Sequence, residues 1–148
     1  MRAVVQRVTE ASVTVENEVI GRIDRGLLVF LGIEEGDTEK DADYIAGKVT
    51  GLRVFDDSDG VPNLDVAEVG GSVLLVSQFT LCADARHGRR PGYSKAARPE
   101  AALPLYAYAV AACKKRVPVE TGRFQAMMRV ALVNDGPHTI LLDSRRAF

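Results

Sequence analysis

The run Gly26-Leu27-Leu28-Val29-Phe30-Leu31-Gly32-Ile33 is the strongest constraint on what this chain can fold into. It is nearly continuous in apolar residues, so no polar face is left for water. A strand of that kind needs cover on both faces. Val73-Leu74-Leu75-Val76 reads the same way. Val13 and Val15, by contrast, alternate with Ser12, Thr14 and Glu16, the period of a strand with one wet face. Val19 to Ile23 follows a turn at Asn17. Further strands fit Val117 to Thr121, Arg129 to Val133 and Thr139 to Leu142.

Two helices separate these strands. Thr38 and Asp41 have capping-box spacing, with Asp in place of Glu. Ala42, Ile45, Ala46, Val49 and Leu52 then form one apolar stripe. The second helix starts near Pro99, a residue tolerated in a first turn. Its stripe is Ala102, Leu105, Tyr106, Ala109, Val110 and Cys113. Strands, helix, strand, helix, strands is the order of a mixed α/β domain. With 148 residues, 47% of them apolar, one domain spanning residues 1–148 can close its own core. No apolar stretch approaches the ~20 residues of a membrane span. Met1 to Arg7 lacks the apolar segment of a secretory signal. A cytoplasmic location is expected, with no membrane partner. Cys82 and Cys113 are expected as reduced, buried thiols.

Several chemistries lack their residues. Gly92-Tyr93-Ser94-Lys95-Ala96 misses the last glycine of a nucleophile elbow. There is no phosphate-binding loop and no dinucleotide fingerprint. His87 and His138 are the only histidines, and neither sits in a zinc-ligand spacing. Asp56-Asp57-Ser58-Asp59-Gly60 is turn chemistry without the spacing of a calcium loop. No metal and no cofactor are expected. The formal net charge is −1, so any nucleic-acid contact must come from a local patch.

Three segments remain. Ser77-Gln78-Phe79-Thr80-Leu81 puts polar groups where an apolar strand ends, a common place for a ligand site in α/β folds. Its hydroxyls, amide and backbone N–H groups suit a developing oxyanion. Read blandly, it is a strand with one wet face. From Asp84 to Glu100 there is no other acidic residue, while Arg86, His87, Arg89, Arg90, Lys95 and Arg98 accumulate beside Tyr93. Arginines, glycines and one aromatic suit a phosphate backbone with a stacked base; a solvated basic loop is the alternative. Asn134-Asp135-Gly136-Pro137-His138-Thr139 reads as a turn between two strands. On residue type alone its Gly-Pro bond is trans, since only about 5–6% of X-Pro bonds are cis.

Together these segments resemble the D-aminoacyl-tRNA deacylase family, often called D-Tyr-tRNA deacylase. The likeness runs from Met1-Arg2-Ala3-Val4-Val5-Gln6-Arg7-Val8 to Leu141-Leu142-Asp143-Ser144. Ser77-Gln78-Phe79-Thr80-Leu81 and Asn134-Asp135-Gly136-Pro137 are its most specific parts. The resemblance implies that family's fold, mixed β-sheets with two main helices packed on one side in β/β/α layers. It implies a homodimer with active sites at the subunit interface. It also implies a cis Gly136-Pro137 pair that each subunit inserts into its partner's site to exclude L-amino acids.

By the same resemblance, Ser77, Gln78, Phe79 and Thr80 line the catalytic pocket around the 3′ acceptor end of an aminoacyl-tRNA. Arg7 helps to hold the Gly-Pro loop, and Met128 belongs to the pocket wall. Arg86, Arg89, Arg90 and Lys95 are the candidate tRNA contacts. The expected activity is hydrolysis of the D-aminoacyl ester, and of glycyl-tRNA mischarged on the alanine tRNA. Water is the preferred nucleophile, because no base is visible beside Thr80. Two positions depart from the family pattern: His138, where valine is usual, and Gln125, where glycine is usual. The competing functions are an L-aminoacyl editing enzyme of the same fold and a non-catalytic tRNA-binding module.

Overall fold

The two apolar runs lie side by side as parallel strands, and different material covers their two faces. A computed structural model describes all 148 residues. In chain order the elements are β1 (Arg2–Val15), β2 (Glu18–Ile23), β3 (Gly26–Gly32), α1 (Glu39–Gly51), β4 (Phe55–Asp56), β5 (Pro62–Leu64) and β6 (Ser72–Ser77). A 3-10 turn (Phe79–Cys82), α2 (Pro99–Lys114), β7 (Val119–Thr121) and β8 (Arg129–Asp143) follow. The main sheet has the order β2-β1-β3-β6-β7, and β8 lies along the other edge of β1. Strands β3, β6 and β7 are parallel, while β1 is antiparallel to β2, β3 and β8.

On one face Leu27, Val29, Leu31, Val73 and Leu75 join Ala42, Ile45, Ala46 and Val49 of α1 and Ala102, Tyr106, Ala109 and Cys113 of α2. On the other, Leu28, Leu74 and Val76 meet Val8, Ala11, Val13, Val15 and Ile23. Each large apolar side chain buried this way contributes about 1.5–3 kcal/mol. Strand β1 makes the second layer. Its first half pairs with β3, and its second half pairs with β2 and lies over the opposite face. The architecture is the β/β/α arrangement expected, with both helices on one side.

Local chemistry explains the boundaries. Glu16 and Asn17 turn β1 into β2 with φ of 49° and 66°, the left-handed pair of a tight hairpin. The Asp41 carboxylate accepts the Thr38 N–H at 2.8 Å, which starts α1. No helix is long and apolar enough to cross a membrane.

One element differs from the sequence reading. Arg129 to Val133 and Thr139 to Leu142 are not two strands joined by a turn. They belong to a single strand of 15 residues. Gln6 pairs with Thr139 and Val8 with Asn134, so Arg7 alone faces Asp135-Gly136-Pro137-His138. Those four residues bulge from the ladder and the strand resumes beyond them. The cause is β1, which is long enough to partner both halves in one direction, so no reversal is needed. Proline tolerates the bulge because it has no N–H to place in a ladder. The Gly136-Pro137 peptide bond is cis.

Candidate active site

The site is built where β6 ends. Beyond Ser77 the Gln78 N–H still donates to the Leu31 carbonyl at 2.8 Å, so the chain stays fixed to β3. It then coils: the Leu81 N–H donates to Gln78 and the Ala83 N–H to Thr80. The strand character of Ser77 to Leu81 is therefore confined to its start. Gly32 makes the coil's position available, since a Cβ there would stand 2.8 Å from Leu81 Cβ and 3.0 Å from the Gln78 carbonyl. Cys82 closes the turn in the core. Burial first, and then the charge of Glu34, push its thiol up to about 11, which leaves it unreactive.

A cavity of about 590 Å³ opens beside this turn. Ser77, Gln78 and Phe79 form one wall, Pro99 and Ala102 of α2 a second, and Phe124 to Met128 a third. Helix α2 is held in place by Tyr106, whose buried hydroxyl donates to the Leu75 carbonyl at 2.7 Å. The third wall depends on two backbone features. Gly122 leaves room for the Met128 sulfur, which would stand 2.5 Å from any Cβ there. Gln125 lies in the left-handed region at φ 62°. Glycine enters that region without penalty, so the backbone accounts for the glycine usual at this position in the resemblance. Met127, 92% exposed, and Phe79, 56% exposed, stand at the rim. The Phe79 ring meets Tyr93 edge-on, with centroids 5.3 Å apart.

No histidine and no carboxylate lines the cavity. Thr80 does not line it either; its hydroxyl accepts a short hydrogen bond from the Gln78 amide. The N–H groups of Phe79 and Thr80 precede the first hydrogen bond of the turn, so the turn itself does not use them. The arrangement offers donors and shape rather than a strong base.

The Gly-Pro bulge is a separate construction. Arg7, only 8% exposed, donates from Nη1 to the Val54 carbonyl at 2.7 Å and from Nε to the Asp135 carbonyl at 3.1 Å. The Asp135 and Asp56 carboxylates lie 3.2 and 3.6 Å from its guanidinium. The Asn134 amide donates to the Arg7 and His138 carbonyls. Gly136 and Pro137 themselves stay exposed. Neither they nor Arg7 line the cavity of their own chain. The resemblance put Arg7 beside the Asn134–Pro137 loop, but sequence reasoning missed Val54 and Asp56 as the other half of its setting. The sequence carries no local signal for the contacts of Val54 and Asp56, which lie about fifty positions from Arg7.

Arg86, Arg89, Arg90 and Lys95 are all exposed. One of these side chains has a partner within the loop. Asp84 grips Arg86 through Nε at 2.9 Å and Nη2 at 2.5 Å, so that charge is already matched. The Arg86 hydrogen bonds hold the Asp84 carboxyl far below the usual carboxylate range. Asp84 and Gly92 also exchange both backbone hydrogen bonds, closing the loop between them. A linear count of charges cannot see this fold-back.

With that geometry in view, the comparisons with known proteins are direct. The profile of the D-Tyr-tRNA(Tyr) deacylase family matches residues 4–143. The chain belongs to that family. It is an enzyme of the hydrolase class. A D-aminoacyl-tRNA deacylase of Koribacter versatilis (strain Ellin345) is 58% identical over the full length of both chains. The same holds for one from Syntrophobacter fumaroxidans (strain DSM 10017 / MPOB). Among solved structures, a c-Myc DNA unwinding element binding protein has a TM-score of 0.92 at 40% identity, covering 97% of this chain and 98% of that one. A probable eukaryotic D-amino acid tRNA deacylase shares the fold at a TM-score of 0.79 and 15% identity, covering 95% and 98%.

Proposed function

We propose that this chain hydrolyses the ester bond of D-aminoacyl-tRNA, releasing the free D-amino acid and tRNA. The observation that carries the reading is the cavity at the Ser77-Gln78-Phe79 end of β6, in a chain matched by the deacylase family over residues 4–143. An aminoacyl ester is already activated. Positioning the reacting groups and stabilising the oxyanion is then enough to accelerate attack by water. The Phe79 and Thr80 N–H groups support the oxyanion. The ribose 2′-hydroxyl of the substrate assists the water, and Thr80 orients Gln78 rather than attacking.

Selection against L-amino acids is assigned to Gly136 and Pro137 of the partner subunit in a homodimer. The support is that Arg7 and Asn134 hold this bulge firmly while its tip touches nothing of its own chain's cavity. A wall of main chain rejects one enantiomer whatever its side chain is. Glycine has no side chain to exclude, so glycyl-tRNA, including glycine mischarged on the alanine tRNA, is also a substrate. Arg86, Arg89, Arg90 and Lys95 contact tRNA phosphates, and Met128 supports the pocket wall. Residues 1–148 act as one catalytic domain, in the cytoplasm, without metal or cofactor.

Release of tyrosine from D-Tyr-tRNA and L-Tyr-tRNA tests the reading. The D ester is lost preferentially, and Thr80→Ala retains turnover within about tenfold. Equal loss of both esters would remove the chiral wall, and a Thr80→Ala variant with no turnover would restore Thr80 as nucleophile.

A further inference from the structure

The parallel strands have a second open end. At the N-terminal end of β6, opposite the cavity, lies a groove of about 860 Å³. It is lined from three directions: the β2–β3 turn, the C-terminus of α2, and the lead into β7. Small or short residues, Gly70, Ser72 and Pro118, are among its lining. Arg22, Arg25, Lys114, Lys115 and Arg116 converge on it, against only two carboxylates, Asp24 and Glu120. That excess stands out in a chain whose formal net charge is −1.

Two of the five cations are engaged in the fold. Arg116 donates to Asp65 at 3.1 Å and to the Thr50 carbonyl at 3.2 Å, and the Arg25 guanidinium sits over the Phe55 ring. Lys114 and Lys115 are exposed and have no ion pair. Arg22 has only a distant one, with Glu10 at 3.8 Å. The helix dipole favours cations at the end of α2, which accounts for a lysine there. It does not account for Arg22, brought in from the end of β2 to face the same groove.

We propose that this groove binds the phosphate backbone of the substrate tRNA, with Arg22, Lys114 and Lys115 as its contacts. The inference rests on the tRNA-ester reading of the cavity. The six residues of β6 separate the two ends by about 17–20 Å. Helix α2 bridges the same gap, lining the cavity with Pro99 and Ala102 and the groove with Lys114, so a stem that leaves the cavity along the outside of α2 lays its phosphates over the groove. The lysine point charges and the planar Arg22 fork both suit phosphates, and they position a polynucleotide without reading its sequence.

The test compares two substrates on the full-length protein: D-Tyr-tRNA and a minimal D-tyrosyl ester of adenosine, which has no stem. In the triple variant R22Q/K114Q/K115Q, KM for D-Tyr-tRNA rises about tenfold while kcat and hydrolysis of the minimal ester are unchanged. The slope of log affinity for tRNA against log salt flattens by about one per charge removed. Glu120→Gln acts in the opposite sense and tightens tRNA binding. An unchanged KM and salt slope overturn the proposal, as does an equal loss on both substrates. If the parent protein hydrolyses neither ester, the deacylase reading fails. Binding of uncharged tRNA to parent and triple variant then decides the groove alone: equal affinity overturns it, and weaker binding by the variant sustains it.

Discussion

The Ser77–Cys82 segment and the Gly-Pro bulge are both departures from a strand, but they are held in opposite ways. The first is locked inside its own chain, tied to Leu31, packed on Gly32 and closed by buried Cys82. The second is anchored only at its shoulders, by Arg7 and Asn134, and presents an exposed tip. A pocket wall needs support from behind. A probe meant for another molecule needs a stiff base and a bare end. The contrast implies that damage to the first segment appears in stability and activity together, whereas damage to the exposed tip of the second appears in activity alone.

Gly136→Ala is the sharpest way to break that contrast. A Cβ at Gly136 meets nothing nearer than the Asn134 side-chain oxygen at 3.5 Å, an ordinary contact. Stability in urea should change by less than about 0.5 kcal/mol. Hydrolysis of D-Tyr-tRNA should fall by about a hundredfold, since the added methyl enters a substrate cleft of near-contact tolerance. A variant that is unstable, or fully active, would place the tip in its own chain's packing rather than in a substrate site.

Arg7→Ala attacks the base of the probe. It strips the buried Val54 carbonyl of its donor and removes the charge between Asp56 and Asp135. Both carboxylates are about half exposed, so water takes over part of the loss. The expected destabilisation is about 2–3 kcal/mol by equilibrium unfolding. The ratio of D to L hydrolysis should drop with it. Arg7→Lys keeps the charge but cannot span both carbonyls, so it should recover stability more than selectivity. Recovery of both would mean that charge alone sets the bulge.

Gly32→Ala tests the other region. The new methyl would crowd Leu81 and the Gln78 carbonyl. Overpacking of this kind costs about 1–3 kcal/mol. Because the strained atoms form the pocket wall, turnover should fall in the same variant. Lost stability with normal turnover would show that the turn can shift without disturbing the cavity.

What could be read in advance follows the reach of each interaction. The two-faced strands, the Thr38 cap and both helical stripes depend on neighbours within a few residues, and they stand where the residues put them. The β8 bulge depends on Arg7, more than a hundred positions away, so pattern alone rendered it as a hairpin turn. The grip of Asp84 on Arg86 is local, but it needs a loop fold-back that no charge count contains. Within the site, Ser77 and Gln78 were legible as polar groups at a strand end, with Phe79 beside them. Gly32 and Gly122 were not, because their value lies in the side chains of Leu81 and Met128 that they admit.

Gln125 gives the smallest effect and the finest test of the pocket wall. Its left-handed φ of 62° places a side chain in a conformation that disfavours a non-glycine residue by about 1–2 kcal/mol. Glycine would relieve that penalty but loses about 0.5–1 kcal/mol of chain entropy on folding. The difference favours Gln125→Gly by about 0.5–1 kcal/mol, which a shift in urea midpoint would register. Gln125 also lines the cavity, so its amide is a candidate substrate contact as well as a strained residue. Steady-state kinetics separate the two. If the side chain is only tolerated, the glycine variant gains stability and keeps its KM. A rise in KM alongside the gain would mean that this chain holds glutamine in a glycine conformation for what the amide does in the pocket.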